Sequence, residues 1–228
     1  LEARPIIENL IVPVLNRYDL LDRMVSSIDY PVKHLLIIDN GAADVLEDMS
    51  VDVPACVEHT TYLPMPANLG VSESWNLGIK SFPYAERWFF ASNDVQFEPG
   101  ALQRLSEARS DEITLSSMFP HWQAFALGYE AVRRIGLFDS CGFFPAYFED
   151  NDYQRRAQEF GVNVVHIDVP MIHDNSSTIR SDERLSRENS RTFTSNQAHY
   201  SEKVARDDFG AGSWSVERRR LNGWEAGR

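Results

Sequence analysis

The chain has 228 residues, 43% of them hydrophobic, and a formal net charge of −12. That length suits one domain, or one domain with a modest C-terminal appendage, and the hydrophobic share suits a real core. The acidic balance argues against broad binding to a phosphate backbone, no apolar run is long enough to span a bilayer, and no charged-then-apolar leader opens the chain.

A soluble, cytoplasmic protein is therefore expected, with peripheral membrane contact left open. Arg218-Arg219-Arg220 is the one candidate basic patch, and it reads as a solvated helix end or tail. Cys56 and Cys141 have neither metal-ligand spacing nor the density of a disulfide scaffold, so both are expected to be reduced structural thiols.

Leu10-Ile11-Val12-Pro13-Val14 is a short apolar run that predicts a buried parallel strand. A helical pattern follows, with Leu20, Leu21, Met24, Val25 and Ile28 on one face and Asn16 or Asp19 as cap. Leu35 to Ile38 predicts a second strand running into the turn sequence Asp39-Asn40-Gly41. Val53 to Val57 predicts a third, weaker strand, and Trp88 to Ala91 a fourth. Between them, Asn68-Leu69-Gly70 turns into a helix that carries Trp75 and Ile79. Strand and helix alternating at this interval imply parallel crossovers, and ligands of such sheets bind beyond the carboxyl ends of the strands.

The second half is less regular. Ala101 to Ala108 predicts a helix, Ile113 to Leu115 a strand, Trp122 to Leu127 an extended run, and Tyr129 to Ile135 a helix stopped by Gly136. Asp150 to Phe160 predicts a helix ended by Gly161, and Val164 to Ile167 a short strand. Beyond Ser181 the chain turns polar, with a helical pattern from Asp182 to Asp208.

Two acidic places stand out. Trp88-Phe89-Phe90 leads through Ser92 and Asn93 to Asp94, and the apolar run ending at Phe148 leads into Glu149, Asp150 and Asp152. Carboxylates beside apolar surface are costly unless they bind a cation, pair with a charge or exchange a proton. With His173, they are parts suited to metal-assisted transfer of a group from a diphosphate. Plainer roles stand beside these. Asp94 could cap the helix after Pro99, and Glu149, Asp150 and Asp152 could serve the helix macrodipole, with Arg155 and Arg156 as ion-pair partners. His173 could be an ordinary histidine, Asp39 a turn residue, Trp75 core, and Trp122 either core or a platform for sugar.

Pro13-Val14-Leu15-Asn16-Arg17, Ile38-Asp39-Asn40-Gly41, Asn68-Leu69-Gly70 with Asn76-Leu77-Gly78, Ser92-Asn93-Asp94-Val95, Gly136-Leu137-Phe138-Asp139 leading to Glu149-Asp150-Asn151-Asp152, and His173 with Ser176-Ser177 fall in one order. Together they resemble the inverting family 2 glycosyltransferases of the GT-A fold, near the rhamnosyltransferase-like branch, over residues 8 to 178. The resemblance implies a nucleotide-binding α/β sandwich over residues 1–180, with a mostly parallel central sheet flanked by helices; residues 181–228 match nothing in that family and read from their polar helical pattern as a helical extension and tail. It implies that Pro13, Asn16, Asp39, Asn68, Gly70, Asn93 and Asp94 line the nucleotide-sugar site, that Asp94 and His173 hold Mn²⁺ or Mg²⁺, and that Asp150 is the catalytic base. Trp122, Glu149 and Asp152 then fall to the acceptor. Ser92 stands where the family often has the first aspartate of an Asp-x-Asp metal motif.

The activity so implied is sugar transfer, with inversion, from a nucleotide-diphosphate sugar of UDP or dTDP type to an acceptor hydroxyl. Lipid-linked saccharide, cell-wall glycan, protein, small metabolite and modified nucleic acid are the open acceptors, the last disfavoured by the acidic balance. A non-catalytic nucleotide- or glycan-binding module and a sugar-phosphate nucleotidyltransferase are the alternatives. The second needs a glycine-rich basic loop after the first strand, and Asn16-Arg17-Tyr18-Asp19 has no glycine.

Overall fold

The computed structural model describes residues 5–41, 51–174 and 183–210. The strands are β1 (Leu10–Val14), β2 (Val32–Asp39), β3 (Val57–Pro64), β4 (Arg87–Ala91), β5 (Val95–Phe97), β6 (Glu112–Ser116), β7 (Ala124–Gly128), β8 (Asn163–Ile167) and β9 (Met171–His173). The helices are α1 (Tyr18–Ser26), α2 (Val71–Ser81), α3 (Ala101–Leu105), α4 (Tyr129–Ile135), α5 (Glu149–Glu159) and α6 (Glu183–Arg206).

A seven-stranded sheet runs in the order β3-β2-β1-β4-β7-β6-β8, and β5 and β9 form a separate two-stranded ribbon. β1, β2, β3 and β4 are parallel, as are β6 and β8; β7 runs antiparallel to both of its neighbours. The sheet is mostly parallel rather than wholly so. Successive strand residues face opposite sides of a sheet. Leu10, Val12 and Val14 accordingly pack with α1 and α3, while Ile11, Leu36 and Ile38 pack with Trp75 and Ile79 of α2 and Tyr153 of α5. Both faces of the central strands β1, β4 and β7 are buried, which is why their sequences read as continuous apolar runs.

The third strand lies at Val57–Pro64, not at Val53 to Val57. It is an edge strand with every side chain exposed or half-buried, so it carries no apolar run to mark it. It pairs with β2 from Val32↔Val57 to Asp39↔Pro64. The ribbon of β5 and β9 went unpredicted because three-residue strands have too few positions to display a period. At α1, neither Asn16 nor Asp19 caps the helix. Arg17 takes that position in the left-handed region and binds Asp19 through Nε and Nη2 at 2.8 and 2.7 Å. Both cysteines are free thiols.

Among the described residues, no helix is long and apolar enough to cross a membrane. Arg218 to Arg220, Ser176 and Ser177 lie outside the described residues.

At Gly78, α2 packs directly against Ile11 of β1. A Cβ there would stand 2.6 Å from Cγ2 of the wholly buried Ile11. Gly78→Ala gains up to about 1 kcal/mol of helix propensity, but overpacking a filled core costs about 1–3 kcal/mol. A net loss of stability is expected, read as a lower midpoint in urea at unchanged slope.

Candidate active site

The sheet order reverses at the boundary between β1 and β4, because β2 and β3 lie on one side of β1 while β4 and later strands lie on the other. A crevice opens at such a point, beyond the carboxyl ends of the strands. Pro13 helps to open it. Lacking an N–H, it cannot donate to a neighbouring strand, and the β1–β4 register is limited to Leu10↔Phe89 and Ile11↔Phe90. Past that point the two strands are joined by a side chain, Asn93 Nδ2 donating to the Asn16 carbonyl at 3.1 Å.

Asp39 ends β2 at this edge and is fully buried. It accepts from Tyr18 Oη at 2.9 and 3.2 Å, from the Gly41 N–H at 2.8 Å, and from Tyr62 Oη. Asn40 ties the edge to α2, its Oδ1 accepting from Leu69 N–H at 3.0 Å and its Nδ2 donating to Ser74 Oγ at 2.9 Å. Asn68 closes the preceding turn by accepting from the Gly70 N–H at 2.8 Å. Gly70 has φ of +78°, and a Cβ there would lie 2.8 Å from the Pro145 carbonyl oxygen. Val71 N–H donates to that oxygen at 2.7 Å, and Ser72 Oγ donates to the Phe143 carbonyl at 3.0 Å. The loop before Asp150 thus seals the start of α2.

Asp94 is buried just past β4, and its Oδ1 lies 3.2 Å from Nε2 of His173. The ribbon sets this pair, since Val95 stands opposite His173 in the register. Asp174 N–H donates to the Asp94 carbonyl at 3.1 Å, and Arg23 of α1 pairs with the Asp174 carboxylate. Asp94 does not cap α3, whose N-terminal flank is Gly100. No group of three or more His, Cys, Asp or Glu side chains assembles into a metal site among the described residues. Asp94 and His173 are a hard oxygen and an imidazole nitrogen, two contacts that suit Mn²⁺ or Mg²⁺ if diphosphate oxygens and water fill the remaining positions.

Asp150 sits in the first turn of α5. That helix leads into β8, whose first residue pairs with the first residue of β6 in a parallel ladder, so α5 begins at the same sheet edge as Asp94 and Asp39. Burial pushes the Asp150 carboxyl above its ordinary value. Glu149 is pushed up to about 8, first by burial and then by the neighbouring Asp150. Glu149 Oε2 is buried without a hydrogen-bond partner, as expected of a neutral acid.

Because the folded Glu149 binds its proton more tightly than the unfolded group at 4.5, this contribution to stability is complete below pH 4.5 and is lost as pH rises through about 8. Glu149→Gln, neutral throughout, is expected to match the wild type near pH 4 and to melt at a higher temperature near pH 9. The difference should be on the order of a few kcal/mol by calorimetry.

Asp152 and Trp122 offer no face to an acceptor. Asp152 is wholly buried, 2.8 Å from Arg156 Nε and 2.5 Å from Lys203 Nζ. Arg155 instead pairs with Glu159 at 2.6 Å and Asp207 at 3.4 Å. Trp122 is 7% exposed and stacks on the equally buried Trp75 at 6.1 Å, within a cluster that includes Phe125 and Phe138. The polar-flanked loop that suggested a platform turns Trp122 into the core instead.

Comparison with solved structures gives three informative likenesses. A mannosyltransferase from Pyrobaculum calidifontis, in complex with GDP-Man and Mn²⁺, superposes with a TM-score of 0.55 at 14% identity, over 93% of this chain and 77% of that one. A mutant of Drosophila beta-1,4-galactosyltransferase 7, in complex with manganese, UDP-Gal and xylobiose, gives 0.50 at 11% identity, over 77% and 73%. S. aureus TarS in complex with UDP gives 0.51 at 13% identity, over 72% and 59%. The chain has a GT-A fold.

Comparisons with protein-family profiles and with curated proteins give no match. Within the GT-A frame, four residues at the edge escaped sequence reasoning. Tyr62 lies on the misplaced third strand, and Tyr18 and Arg23 lie on α1 outside its fully buried stripe, where nothing in their spacing sets them apart. Asp174 alone carried a signal, as an acid directly following His173.

Proposed function

We propose that this chain is a nucleotide-sugar-dependent glycosyltransferase of the inverting, family 2 type, near the rhamnosyltransferase-like branch. The observation that carries this reading is the Asp94–His173 pair at the reversal of strand order, on the sheet edge where α5 presents the desolvated Asp150. Asp94 and His173 would hold Mn²⁺ or Mg²⁺. When bound, such a cation stabilises the charge that develops on a departing diphosphate, contributing several kcal/mol.

The chain's own residues do the rest. Asn16, Asn68, Gly70 and Asn93 shape the nucleotide pocket around the β1–β4 crevice. Asp39 receives a hydrogen bond from the base or ribose, displacing a tyrosine hydroxyl that now occupies it. Asp150 takes the proton of the acceptor hydroxyl as that oxygen attacks the anomeric carbon, and its raised pKa strengthens it as a base. One base acting opposite the leaving group gives inversion in a single displacement. Glu149, protonated beside it at neutral pH, keeps the pair from carrying two charges.

The donor is a nucleoside-diphosphate sugar, with UDP and dTDP types favoured by the sequence resemblance and GDP added by the mannosyltransferase likeness. The acceptor is a hydroxyl compound. The test is nucleotide release from a panel of UDP-, dTDP- and GDP-sugars, with Mn²⁺, with Mg²⁺ and with chelator. Metal-dependent release from one donor supports the proposal; binding without any turnover favours a non-catalytic module. Ser92 in the metal motif gives that second reading its support.

A further inference from the structure

α6 presents a stripe of side chains at helical spacing, Phe193, Asn196, Tyr200 and Lys203, with His199 beside it. All of them meet the segment that leads into α5. Asn196 is buried, and its Nδ2 donates to the carbonyls of Ala146 at 2.8 Å and Tyr147 at 3.3 Å. Phe193 packs its ring against Tyr147 at 5.3 Å and Phe148 at 5.2 Å, and Tyr200 stacks on Phe148 at 5.7 Å. Lys203 Nζ bridges Asp139 at 3.3 Å and Asp152 at 2.5 Å, joining the start of the segment to the first turn of α5. His199 Nε2 lies 3.6 Å from the same Asp139.

The backbone there needs holding. Tyr147 and Phe148 have φ of +80° and +73°, a left-handed conformation that bulky residues rarely adopt. Such conformations persist when surrounding contacts over-determine them, and they gather at functional sites. Phe148, at the N-terminal flank of α5, makes no side-chain capping bond. α5 reaches back to the pair through Asp152 N–H, which donates to the Phe148 carbonyl at 2.9 Å, and through the Glu149 carboxyl, which accepts from the Tyr147 N–H. α2 holds the segment further upstream, at Phe143 and Pro145. α6 adds side-chain bonds at the carbonyls of Ala146 and Tyr147, nearly fifty residues earlier in the chain.

We propose that α6 holds the candidate base in its working position, with Asn196 and Lys203 as positioning residues for Asp150. This rests on the assignment of Asp150 as base. Asn196 fixes the carbonyls on either side of Tyr147, one just ahead of the left-handed pair and one within it, and Lys203 locks the first turn of α5 onto Asp139. Released, Tyr147 and Phe148 would relax to negative φ and turn Asp150 away from the crevice. The parts of the donor site carried by β1, β2, β4 and the β5–β9 ribbon would keep their shape, and Gly70 would stay seated through the Val71 N–H bond to the Pro145 carbonyl upstream of the pair.

The test uses the 228-residue chain carrying Lys203→Met, Lys203→Arg or Asn196→Ala. Two readings are taken: nucleotide release from the best donor with Mn²⁺, and amide hydrogen exchange over residues 143–152. Lys203→Met and Asn196→Ala are expected to lower kcat at least about tenfold, with the donor KM within about twofold. Lys203→Arg should recover most of the loss, and exchange over 143–152 should speed up in the two damaging variants only. If Lys203→Met does not fold, Asn196→Ala, which strands no buried charge, decides the question. Unchanged kcat and exchange would overturn the proposal, as would parallel losses in kcat and donor affinity. Should the wild type release no nucleotide from any donor, the enzymatic reading fails, and the exchange measurement still decides whether α6 restrains the segment.

Discussion

Asp150→Asn is expected to lower sugar transfer by about 10²- to 10⁴-fold, the usual contribution of a positioned general base. Donor affinity should stay within about twofold, because the substitution is isosteric and leaves the β1–β4 crevice untouched. Asp150 is half-buried, its Oδ1 accepts from the adjacent Asn151 N–H at 2.8 Å, and an amide oxygen can keep that bond. Calorimetric titration of donor with Mn²⁺, paired with nucleotide release, separates the two effects. The pH profile adds a second check. Burial raises the Asp150 carboxyl, so the acidic limb of the wild-type rate profile should lie above the range of an exposed aspartate. Asp150→Asn should remove that limb along with the rate. A variant that transfers at the wild-type rate would take Asp150 out of the chemistry and turn attention to Glu149.

The parts of the fold that could be read in advance were those where burial and backbone geometry speak together. β1 matches its apolar run residue for residue, and α4 and α5 begin and end within a residue of their periodic patterns. Each is buried on a face that its sequence displays. β3 failed this test because an edge strand is held by backbone pairing to β2, which leaves its side chains free to be Glu58, His59, Thr60 and Thr61. The direction of β7 was equally silent, since an apolar run is the same whether its neighbours run with it or against it.

The site divided along a similar line. Asp39, Asp94 and Asp150 stand at ends of elements, where sequence order already implies one edge. Side chains that reach the edge from elsewhere left no trace. Tyr62 comes from a strand without a pattern, and Lys203 from a helix remote in sequence. For Asp152, the sequence offered Arg156 as an ion-pair partner, but neither the full burial of that pair nor the reach of Lys203 to it. An i, i+4 spacing permits such a pair, but it does not say that the pair is buried.

The second large effect is expected at Asp94. Asp94→Ala removes the one carboxylate of the proposed metal pair and should abolish the gain in donor affinity that Mn²⁺ gives the wild type. Losing several kcal/mol of leaving-group stabilisation corresponds to a fall in transfer of roughly 10²- to 10³-fold. The backbone bears little of the damage, because the ribbon is held by pairing of Val95 and Phe97 with His173 and Met171, in which the Asp94 carboxylate takes no part. His173→Ala should act more mildly, since the carboxylate remains. Ser92→Asp tests the same site in the opposite direction. Ser92 is half-buried and anchored through its own N–H to the Gln123 carbonyl at 2.8 Å, a bond the substitution keeps. A second carboxylate two residues from Asp94 adds a hard ligand, and the Mn²⁺ concentration for half-maximal turnover should fall. If Asp94→Ala leaves metal dependence intact while Ser92→Asp has no effect, the cation is held elsewhere. The Asp94–His173 contact would then be a strut that fixes the β5–β9 ribbon beneath the crevice.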